Sequence, residues 1–491
     1  MPRRSAALLG IAASYCSCAV EARMEGSTVH LERDRRSGGF AQQHQRQLQQ
    51  PELVLFSGGT AMNSLAAALG SFSPRIAHVL PVSDDGGSTA EIVRVLGGPA
   101  VGDIRSRCLR LSDVSSPEAA AVKTLLQHRL PKNREEARAA WLSIVEGTDP
   151  LWEGITSPYK HTIRAFLIHF HTQLLVRSAA DFDLSNGSVG NFFFAGARLF
   201  LNSLNAAIFL YSRVSGLPEQ TAVLPVIRSE ADKTVVLGAV LEDGTLLRGQ
   251  NAISHPSIAP GLSRSVSSGV SAAPDAASVT PAVVDKERPV EPLPSPIRRV
   301  CYLSTDLVTE DSSHAASVAD QSVAEVFPQP NPLVLDRLAR TQCVIYGAGS
   351  LYTSICPCLI VRGIGEAIAG LSPAVPRVLM LNGFPDRETT SANAPPMDAC
   401  AYVRAVVDAL NRVGAGRGQP GSRLSHGVSE YVNVLLYPSD GEECGIRVDA
   451  AALARMGVRA VAVPCVRDAK GRALYDPQGV VDALSRLLTV E

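Results

Sequence analysis

The chain has 491 residues, which is enough for about three average domains or for one large α/β domain with insertions. Lys and Arg number 46 and Asp and Glu 47, so the chain lacks the net positive charge of a typical nucleic-acid-binding protein. Hydrophobic residues make up 46% and charged residues 19%, which favours a folded, soluble protein. No apolar run reaches the roughly 18 residues of a spanning helix, so we do not expect the chain to cross a membrane. Because of the balanced charge, we do not expect nucleic acid as a partner either.

The first 50 residues are predicted to lie outside the fold. Met1 to Val20 is an Ala/Ser/Leu-rich run that carries Arg3 and Arg4, a composition typical of a transit peptide, a weak secretory signal or an unstructured tail. Gln42 to Gln50 is a glutamine-rich segment of low complexity. We expect a cytoplasmic protein, with a plastid or mitochondrion as the alternative if this segment is a transit peptide.

Short apolar runs followed by helical patterns recur along the rest of the chain. The runs are Leu53 to Phe56, Ile76 to Val82, Val344 to Tyr346, Val378 to Leu381, Val432 to Tyr437 and Val458 to Val463. Their β-branched content and lack of alternation indicate strands that are buried on both faces of a sheet. Helical segments such as Leu65 to Gly70 and Asp398 to Leu410 lie between them, which predicts an α/β fold with a doubly wound parallel sheet.

Two segments interrupt this pattern within a single predicted domain, residues 51–491. Residues 115–210 are mostly helical in pattern and predict a helical insertion. Its helices are expected at Val122 to Leu130, Ile163 to Leu175 and Phe192 to Phe209. Ser257 to Pro296 is rich in Ser, Pro, Ala and Val without a period and predicts a disordered loop. Before that loop, Asp243-Gly244 predicts the turn of a β-hairpin within Val235 to Gly249.

Two glycines follow the first predicted strand. In Phe56 to Asn63, residues Gly58, Gly59 and Thr60 precede a helix, so the backbone can approach a phosphate closely. The segment matches neither the Walker A motif nor the dinucleotide-binding glycine fingerprint. A tight turn without a ligand is the alternative interpretation.

Paired acids follow the second predicted strand. Asp84 and Asp85 lie at the carboxyl end of a strand, where the ligand crevice of an open α/β sheet forms. Adjacent carboxylates repel each other unless a cation or hydrogen-bond donors compensate, so the pair can hold a divalent cation or a ligand hydroxyl. The alternative is a turn that caps the helix beginning near Thr89.

An acid and an arginine stand beside flexible backbone a few residues later. Arg105 can bind phosphate oxygens in a bidentate manner, and Asp103 can orient it. A structural salt bridge between the two residues is the competing interpretation. Arg107 and Arg110 are expected on a solvated helix face.

Three further polar groups are candidates for the same pocket. Asn186 and Asn191 precede and enter an apolar helix, where they can either bind a nucleotide or cap the helix. Gly349 and Ser350 form a glycine turn after a buried strand, which is a second candidate anion site, and Asn382 follows the next strand.

Histidines and cysteines give no metal or nucleophile motif. His169 and His171 are two residues apart, a spacing that points them to different sides of a helix. Ten cysteines without a C-x-x-C pair are too sparse for a disulfide scaffold, and Cys356 and Cys358 are interpreted as reduced thiols.

Taken in order, these motifs resemble the 2-phospho-L-lactate transferase (CofD-like) family, which includes bacterial gluconeogenesis-factor proteins of the UPF0052 type. The motifs are the GGT loop, DDGGST, GDIR, SNGSVGNF, GAGSLYTS and a late NG…RET pattern, which together span about Leu53 to Leu410. The resemblance implies a Rossmann-like α/β fold with extra helices. One branch transfers a phospholactyl group from a guanosine diphosphate donor to a deazaflavin with Mg²⁺. The other branch binds a UDP-sugar and acts as a regulator.

The resemblance also implies roles for individual residues. Gly58, Gly59 and Thr60 would touch a diphosphate, while Asp84 and Asp85 would hold Mg²⁺ and carry catalysis. The nucleotide pocket would be completed by Asp103, Arg105, Asn186, Asn191, Gly349, Ser350 and Asn382. Ala61 departs from the family pattern, since many members have a glycine at this position.

The sequence therefore predicts a CofD-like transferase. It would bind a GDP- or UDP-linked nucleoside diphosphate conjugate and pass a phosphoryl-linked group to an acceptor hydroxyl, with a deazaflavin as the candidate acceptor. The alternative is a non-catalytic UDP-sugar-binding regulator of the gluconeogenesis-factor type. The sequence leaves the oligomeric state open, with a homodimer among the assemblies considered.

Overall fold

The structure of the chain is a computed structural model that describes most residues from Gln50 onward. The described ranges are 50–59, 61–83, 86–177, 182–228, 235–254, 291–304, 325–412, 423–441 and 445–489. The segment predicted to precede the fold and residues 257–290 of the predicted loop lie outside them. So do Thr60, Asp84 and Asp85.

The main sheet has eight strands in the order β12-β11-β10-β9-β8-β1-β2-β3. These strands are Leu53–Phe56 (β1), Ile76–Leu80 (β2), Ala222–Pro225 (β3), Cys343–Tyr346 (β8), Arg377–Met380 (β9), Val434–Ser439 (β10), Arg459–Arg467 (β11) and Ala473–Tyr475 (β12). All neighbouring pairs are parallel except β11 and β12, which are antiparallel. This mostly parallel sheet confirms the predicted α/β fold class.

Helices cover both faces of this sheet. They are Ala66–Phe72 (α1), Gly87–Leu96 (α2), Gly102–Leu111 (α3), Pro117–Gln127 (α4), Arg134–Glu146 (α5), Ser157–Val176 (α6), Val189–Leu201 (α7), Leu204–Val214 (α8), Gln250–Ser254 (α9), Pro332–Leu338 (α10), Cys356–Leu359 (α11), Ile364–Ala369 (α12), Ala399–Leu410 (α13), Val428–Tyr431 (α14), Ala450–Arg455 (α15) and Pro477–Thr489 (α16). Along β1, Val54 and Phe56 belong to one hydrophobic cluster and Leu53 and Leu55 to a second. Because successive strand residues point to opposite faces, both faces of β1 are packed, as its uninterrupted apolar sequence indicates.

The predicted helical insertion contains helices α4 to α8. The run predicted as one helix from Phe192 to Phe209 is two helices, because Asn202 adopts a left-handed conformation with φ of 47° and ends α7. Ser203 then starts α8, since its side chain accepts a hydrogen bond from the backbone N–H of Ala206 at 3.2 Å. The apolar pattern therefore predicted the helical residues and missed the break between the two helices.

A second sheet of four antiparallel strands has the order β5-β4-β6-β7. Its strands are Val235–Leu241 (β4), Leu246–Arg248 (β5), Ile297–Ser304 (β6) and Glu325–Val326 (β7). β4 and β5 form the hairpin predicted at Asp243-Gly244. The predicted end of the loop at Pro296 is too late in the sequence, because Leu293 is fully buried and pairs with Ser391.

Over the described ranges, none of the helices combines the length and the apolar character that crossing a bilayer requires.

Candidate functional site

The main sheet changes direction between β1 and β8. From β1 the chain proceeds to β2 and β3 on one side, whereas β8, β9, β10 and β11 follow one another on the other side. β1 and β8 are nonetheless adjacent and parallel, with Leu53 paired to Cys343 and Phe56 to Tyr346. In an open α/β sheet, ligands bind outside the carboxyl ends of the strands at such a switch point. The loops after Phe56 and Tyr346 are therefore the candidate site.

Gly58 and Gly59 follow β1 and are tightly enclosed. A Cβ atom on Gly58 would overlap the Ser354 side chain, and one on Gly59 would overlap the Asp103 carboxylate. Among the described residues, the backbone N–H groups of Gly58 and Gly59 have no hydrogen-bond acceptor. Close packing thus explains why these positions are glycines, and their amides are left for another acceptor.

Asp103 and Arg105 lie on α3 but face different neighbours. Asp103 stands beside Gly59, whereas Cδ of Arg105 lies against Gly190 in the first turn of α7. Two residues along a helix correspond to a rotation of about 200°, which places the two side chains on opposite sides of α3. The structure therefore gives no Asp103–Arg105 salt bridge among the described ion pairs, and Arg105 does not face the glycine loop.

Arg107, expected on a solvated face, is fully buried. Its Nη2 donates to the carbonyl oxygen of Gly58 at 2.8 Å and lies 3.4 Å from the Ser57 hydroxyl. Burial lowers the pKa of Arg107 to about 10, so the guanidinium remains charged at neutral pH. Arg107 lies four residues after Asp103, so both residues are on the same side of α3. The sequence prediction placed Arg107 in solvent because of its charge and did not use this spacing.

His78 of β2 is the buried neighbour of Arg107. Burial, and secondarily the positive charge of Arg107, lower the pKa of His78 well below its usual value, so its imidazole is neutral. Neither ring nitrogen has a hydrogen-bond partner within the described part of the chain. A neutral histidine and a charged arginine therefore lie beneath the Gly58 turn.

The two asparagines near α7 hold the backbone at different places. Nδ2 of Asn191 donates to the Ser88 hydroxyl at 3.0 Å and to the Thr89 hydroxyl at 3.3 Å, which ties α7 to the start of α2. The buried Oδ1 of Asn191 lacks a partner among the described residues. Asn186 adopts a left-handed conformation with φ of 55°, and its carbonyl accepts from Arg129. Asn186 therefore acts as a turn residue in this structure.

Asn382 holds the glycine turn that follows β8. Its Oδ1 accepts from the backbone N–H of Gly349 and its Nδ2 donates to the Gly349 carbonyl, both at 2.8 Å. Gly349 has φ of 141°, a conformation that side-chain-bearing residues rarely adopt. Ser350 then starts a π-helical turn, Leu351–Ile355, without using its side chain as a cap. The structure thus brings Gly349, Ser350 and Asn382 together, and their part in a nucleotide pocket stays a prediction.

Glu388 belongs to the late RET pattern of the sequence, which predicted no role for it. It is buried and accepts hydrogen bonds from the backbone N–H groups of Tyr352 at 2.8 Å and Thr353 at 3.0 Å, and from the Thr353 hydroxyl at 2.5 Å. Burial, and then the nearby Asp386, raise the pKa of Glu388 to about 8. The N–H groups of Tyr352 and Thr353 are therefore already bonded to Glu388. A ligand at this loop would instead contact the polar groups of Ser350 and Leu351, which precede them.

The predicted metal ligands, Asp84 and Asp85, lie outside the described residues, and their placement stays a prediction. In the ranges that the structure describes, no three His, Cys, Asp or Glu residues cluster as a metal site. The predicted thiols Cys356 and Cys358 are free and buried. His171 of α6 accepts from the Trp141 indole at 3.0 Å, which is a structural contact.

The phenylalanines at the start of α7 belong to the core. Phe192, Phe193 and Phe194 are each fully buried. Phe192 stacks on Phe170 with ring centroids 4.8 Å apart and meets Trp141 edge-to-face at 5.2 Å. These rings therefore pack α7 against α5 and α6 within the helical insertion and do not line an open pocket.

Together, the parallel sheet and its two glycine turns define a Rossmann-like α/β protein with its candidate site at the switch point. A model of the family described as 2-phospho-L-lactate transferase CofD matches residues 53–466. The chain belongs to this family.

Relatives of two kinds are similar to the chain. The uncharacterized protein YNL011C of Saccharomyces cerevisiae is 31% identical over 434 residues, covering 83% of this chain and 94% of that protein. The gluconeogenesis factor of Bacillus subtilis is 25% identical over 320 residues, covering 65% of this chain and 64% of that protein. A solved structure of a UPF0052 family member from Bacillus halodurans has a TM-score of 0.56 at 19% identity, covering 89% of this chain and 99% of that chain. This last likeness concerns the fold alone.

Proposed function

We propose that this protein binds a nucleoside diphosphate conjugate at the switch point and, as a CofD-type transferase, passes a phosphoryl-linked group to an acceptor hydroxyl. The observation that carries the proposal is the meeting of two glycine turns between β1 and β8. Gly58 packs against Ser354, one turn beyond Ser350, so the two turns are in contact. Family membership supports the reaction class.

The backbone supplies the chemistry that a diphosphate needs. The N–H groups of Gly58 and Gly59 lack acceptors among the described residues, and the Ser350 side chain is not used as a cap. Successive free amides form an anion-binding concavity, and a hydroxyl adds a further donor. In the transfer, the acceptor hydroxyl oxygen bonds to the distal phosphorus, the P–O–P bond breaks, a nucleoside monophosphate leaves and the hydroxyl proton passes to solvent. Because fixed donors beside the diphosphate stabilise the charge that develops on the leaving monophosphate, such a transfer needs few reacting side chains.

Two buried oxygen atoms of described residues suit a divalent cation, and one of them belongs to the residue that precedes Asp84 in the sequence. Ser83 Oγ and Asn191 Oδ1 are buried without partners in the described part of the chain, and oxygen is the ligand atom that Mg²⁺ prefers. Asp84 and Asp85 would hold the cation, as the family resemblance implies. When bound, Mg²⁺ would neutralise negative charge on the diphosphate.

A second candidate function is a non-catalytic regulator that binds a nucleotide sugar. One observation favours it: a transferase needs an apolar, ring-sized pocket for its acceptor, and the three consecutive phenylalanines Phe192, Phe193 and Phe194 are buried in the core instead of lining one. The relatives that carry a functional name are called gluconeogenesis factors. Both candidate functions require the same diphosphate contacts, and they differ in whether an acceptor binds beside the nucleotide.

A thermal-shift panel tests the proposal and separates the two candidates. The panel contains GDP, UDP and several UDP-sugars, each with Mg²⁺ or with EDTA, and each with or without a deazaflavin. A ligand at a hundredfold excess over its Kd stabilises the folded state by about 2.7 kcal/mol, which such a panel detects. A guanine preference that a deazaflavin strengthens, together with group transfer, supports the transferase. A UDP-sugar preference without a deazaflavin effect or turnover supports the regulator.

Ser350→Ala tests the site within this panel. Because the Ser350 side chain caps no helix, its removal is expected to leave the melting temperature within about 1 °C while weakening nucleotide binding roughly threefold to tenfold. Ser485→Ala on α16 is the matched control and should bind like the parent protein. If no nucleotide shifts the parent protein, the glycine turns serve packing alone and the proposal is wrong.

A further inference from the structure

Two arginines flank the first turn of α7, away from the Gly58–Gly59 turn. The backbone of Arg129 pairs with Ser188, the residue that caps α7, and Arg129 Nη1 donates to the carbonyl of Asn186 at 3.1 Å. Arg105 approaches from α3, where a Cβ atom on Gly190 would lie 3.0 Å from Arg105 Cδ. Both side chains therefore reach the positive end of a 13-residue helix.

Unpartnered polar atoms lie at the same place. The hydroxyl of Tyr211 is fully buried, would lie 2.9 Å from a Cβ atom on Gly190, and has no hydrogen-bond partner in the described ranges. The buried Nε of Arg105 is likewise without a described partner. Because buried polar groups are nearly always hydrogen-bonded, two such donors at one helix start point to a missing acceptor.

The surrounding charge is positive. Loss of hydration and then the nearby Arg105 lower the pKa of Arg129, and burial and then Arg110 lower the pKa of Lys123. Within the described part of the chain, no carboxylate forms an ion pair with any of these four cations. Like charges held together without an acid are stabilised by a bound anion.

We propose that Arg105 and Arg129, together with the Tyr211 hydroxyl beside Gly190, form a second anion site, which binds a phosphate dianion, free or as the monoester of a small metabolite. Arginine suits a phosphate because its planar N–H groups match two phosphate oxygens at once. Arg105 lies about 200° around α3 from Asp103, so this site is on the opposite side of that helix from the Gly58–Gly59 turn. The site goes beyond the proposed function and does not require a nucleotide.

Calorimetric titration of the full chain with inorganic phosphate tests the proposal, at constant ionic strength because salt screens exposed charges. Arg129→Gln removes one charge and its paired donors, and is expected to weaken phosphate binding roughly tenfold or more. Arg129→Lys keeps the charge without the planar group, so its phosphate affinity should lie between those of Arg129→Gln and the parent. Arg486→Gln, an exposed arginine of α16, is the matched control and should bind as the parent does. A parallel titration with glucose 6-phosphate shows whether the free anion or a monoester binds better.

Separate titrations with UDP and GDP distinguish this site from the switch point. Loss of phosphate binding in Arg129→Gln with unchanged nucleotide affinity supports the second site. The inference holds in the same way if the parent binds phosphate through Arg129 and binds no nucleotide, although the proposed function then fails. Phosphate affinity that is equal in Arg129→Gln and the parent overturns the inference, whatever the nucleotides do.

Discussion

The side-chain amide of Asn382 forms two hydrogen bonds with the backbone of Gly349. Asn382 Oδ1 accepts from the Gly349 N–H and Asn382 Nδ2 donates to the Gly349 carbonyl, each at 2.8 Å. This reciprocal pair links the loop after β9 to the turn after β8. It fixes a glycine whose φ of 141° is otherwise weakly determined. The position of Ser350, the next residue, follows from it.

Asn382→Asp is expected to destabilise the fold by roughly 1–3 kcal/mol. The carboxylate can still accept from the Gly349 N–H, but its second oxygen faces the Gly349 carbonyl and cannot donate. Denaturant unfolding measures the loss. Asn393→Asp is the control, because Asn393 is exposed and donates only to the Pro294 carbonyl among described residues. Equal effects in the two variants would contradict the role given to Asn382.

Glu388 predicts a pH dependence of stability. Its pKa of about 8 in the folded state lies above the value near 4.5 of an unfolded chain, so the folded state holds a proton that the unfolded state has released. Stability should therefore fall as pH rises from about 4.5 to 8, by up to about 1.4 kcal/mol per pH unit. Unfolding of the parent and Glu388→Gln across pH 5–9 tests this. The glutamine variant should show the shallower fall, and parallel curves would refute the prediction.

Arg107→Met should cost roughly 1–3 kcal/mol of stability, because the buried carbonyl of Gly58 loses its donor. Arg110→Met on the same helix is the control, since Arg110 is exposed, and its change should stay within about 0.5 kcal/mol. Chemical denaturation of both variants gives the comparison. If Arg107→Met leaves the free energy of unfolding unchanged, water or another donor replaces the guanidinium.

Gly59→Ala should destabilise the protein by roughly 1–3 kcal/mol, because the added methyl group overlaps the Asp103 carboxylate. Gly427→Ala is the matched glycine control. Gly427 has φ of −73° and no atom within 4 Å of an added Cβ, so its change should be near zero or slightly stabilising. Thermal unfolding compares the two, and an unaffected Gly59→Ala would show that Asp103 moves freely.

The apolar runs predicted the parallel strands well because burial on both sheet faces leaves an uninterrupted sequence signal. Leu53 to Phe56 coincides with β1. The glycine turns after β1 and β8 also lie where the sequence placed them, because each directly follows a predicted strand, and their role in ligand binding stays a prediction. The break at Asn202 was not, since nothing in an apolar pattern distinguishes a long helix from two short ones.

Buried charged residues were the main failure of the sequence reasoning. Arg107 is fully buried and Glu388 is 3% exposed, although their residue types are usually found at the surface. Their environments depend on strands and turns that are distant in the chain, Gly58 for Arg107 and Thr353 for Glu388. The period of α3, with Arg107 four residues after Asp103, was the one available signal for Arg107.

The adjacency of β1 and β8 also constrains when the protein can become functional during synthesis. Leu53 and its partner Cys343 are 290 residues apart, and ribosomes extend chains at about 5–20 residues per second. One edge of β1 therefore waits roughly 15–60 s for its neighbour, a period in which an unpaired apolar strand invites aggregation. Nascent chains of this protein should depend on chaperones until β8 emerges, and no truncated product that ends before β8 can acquire the candidate site.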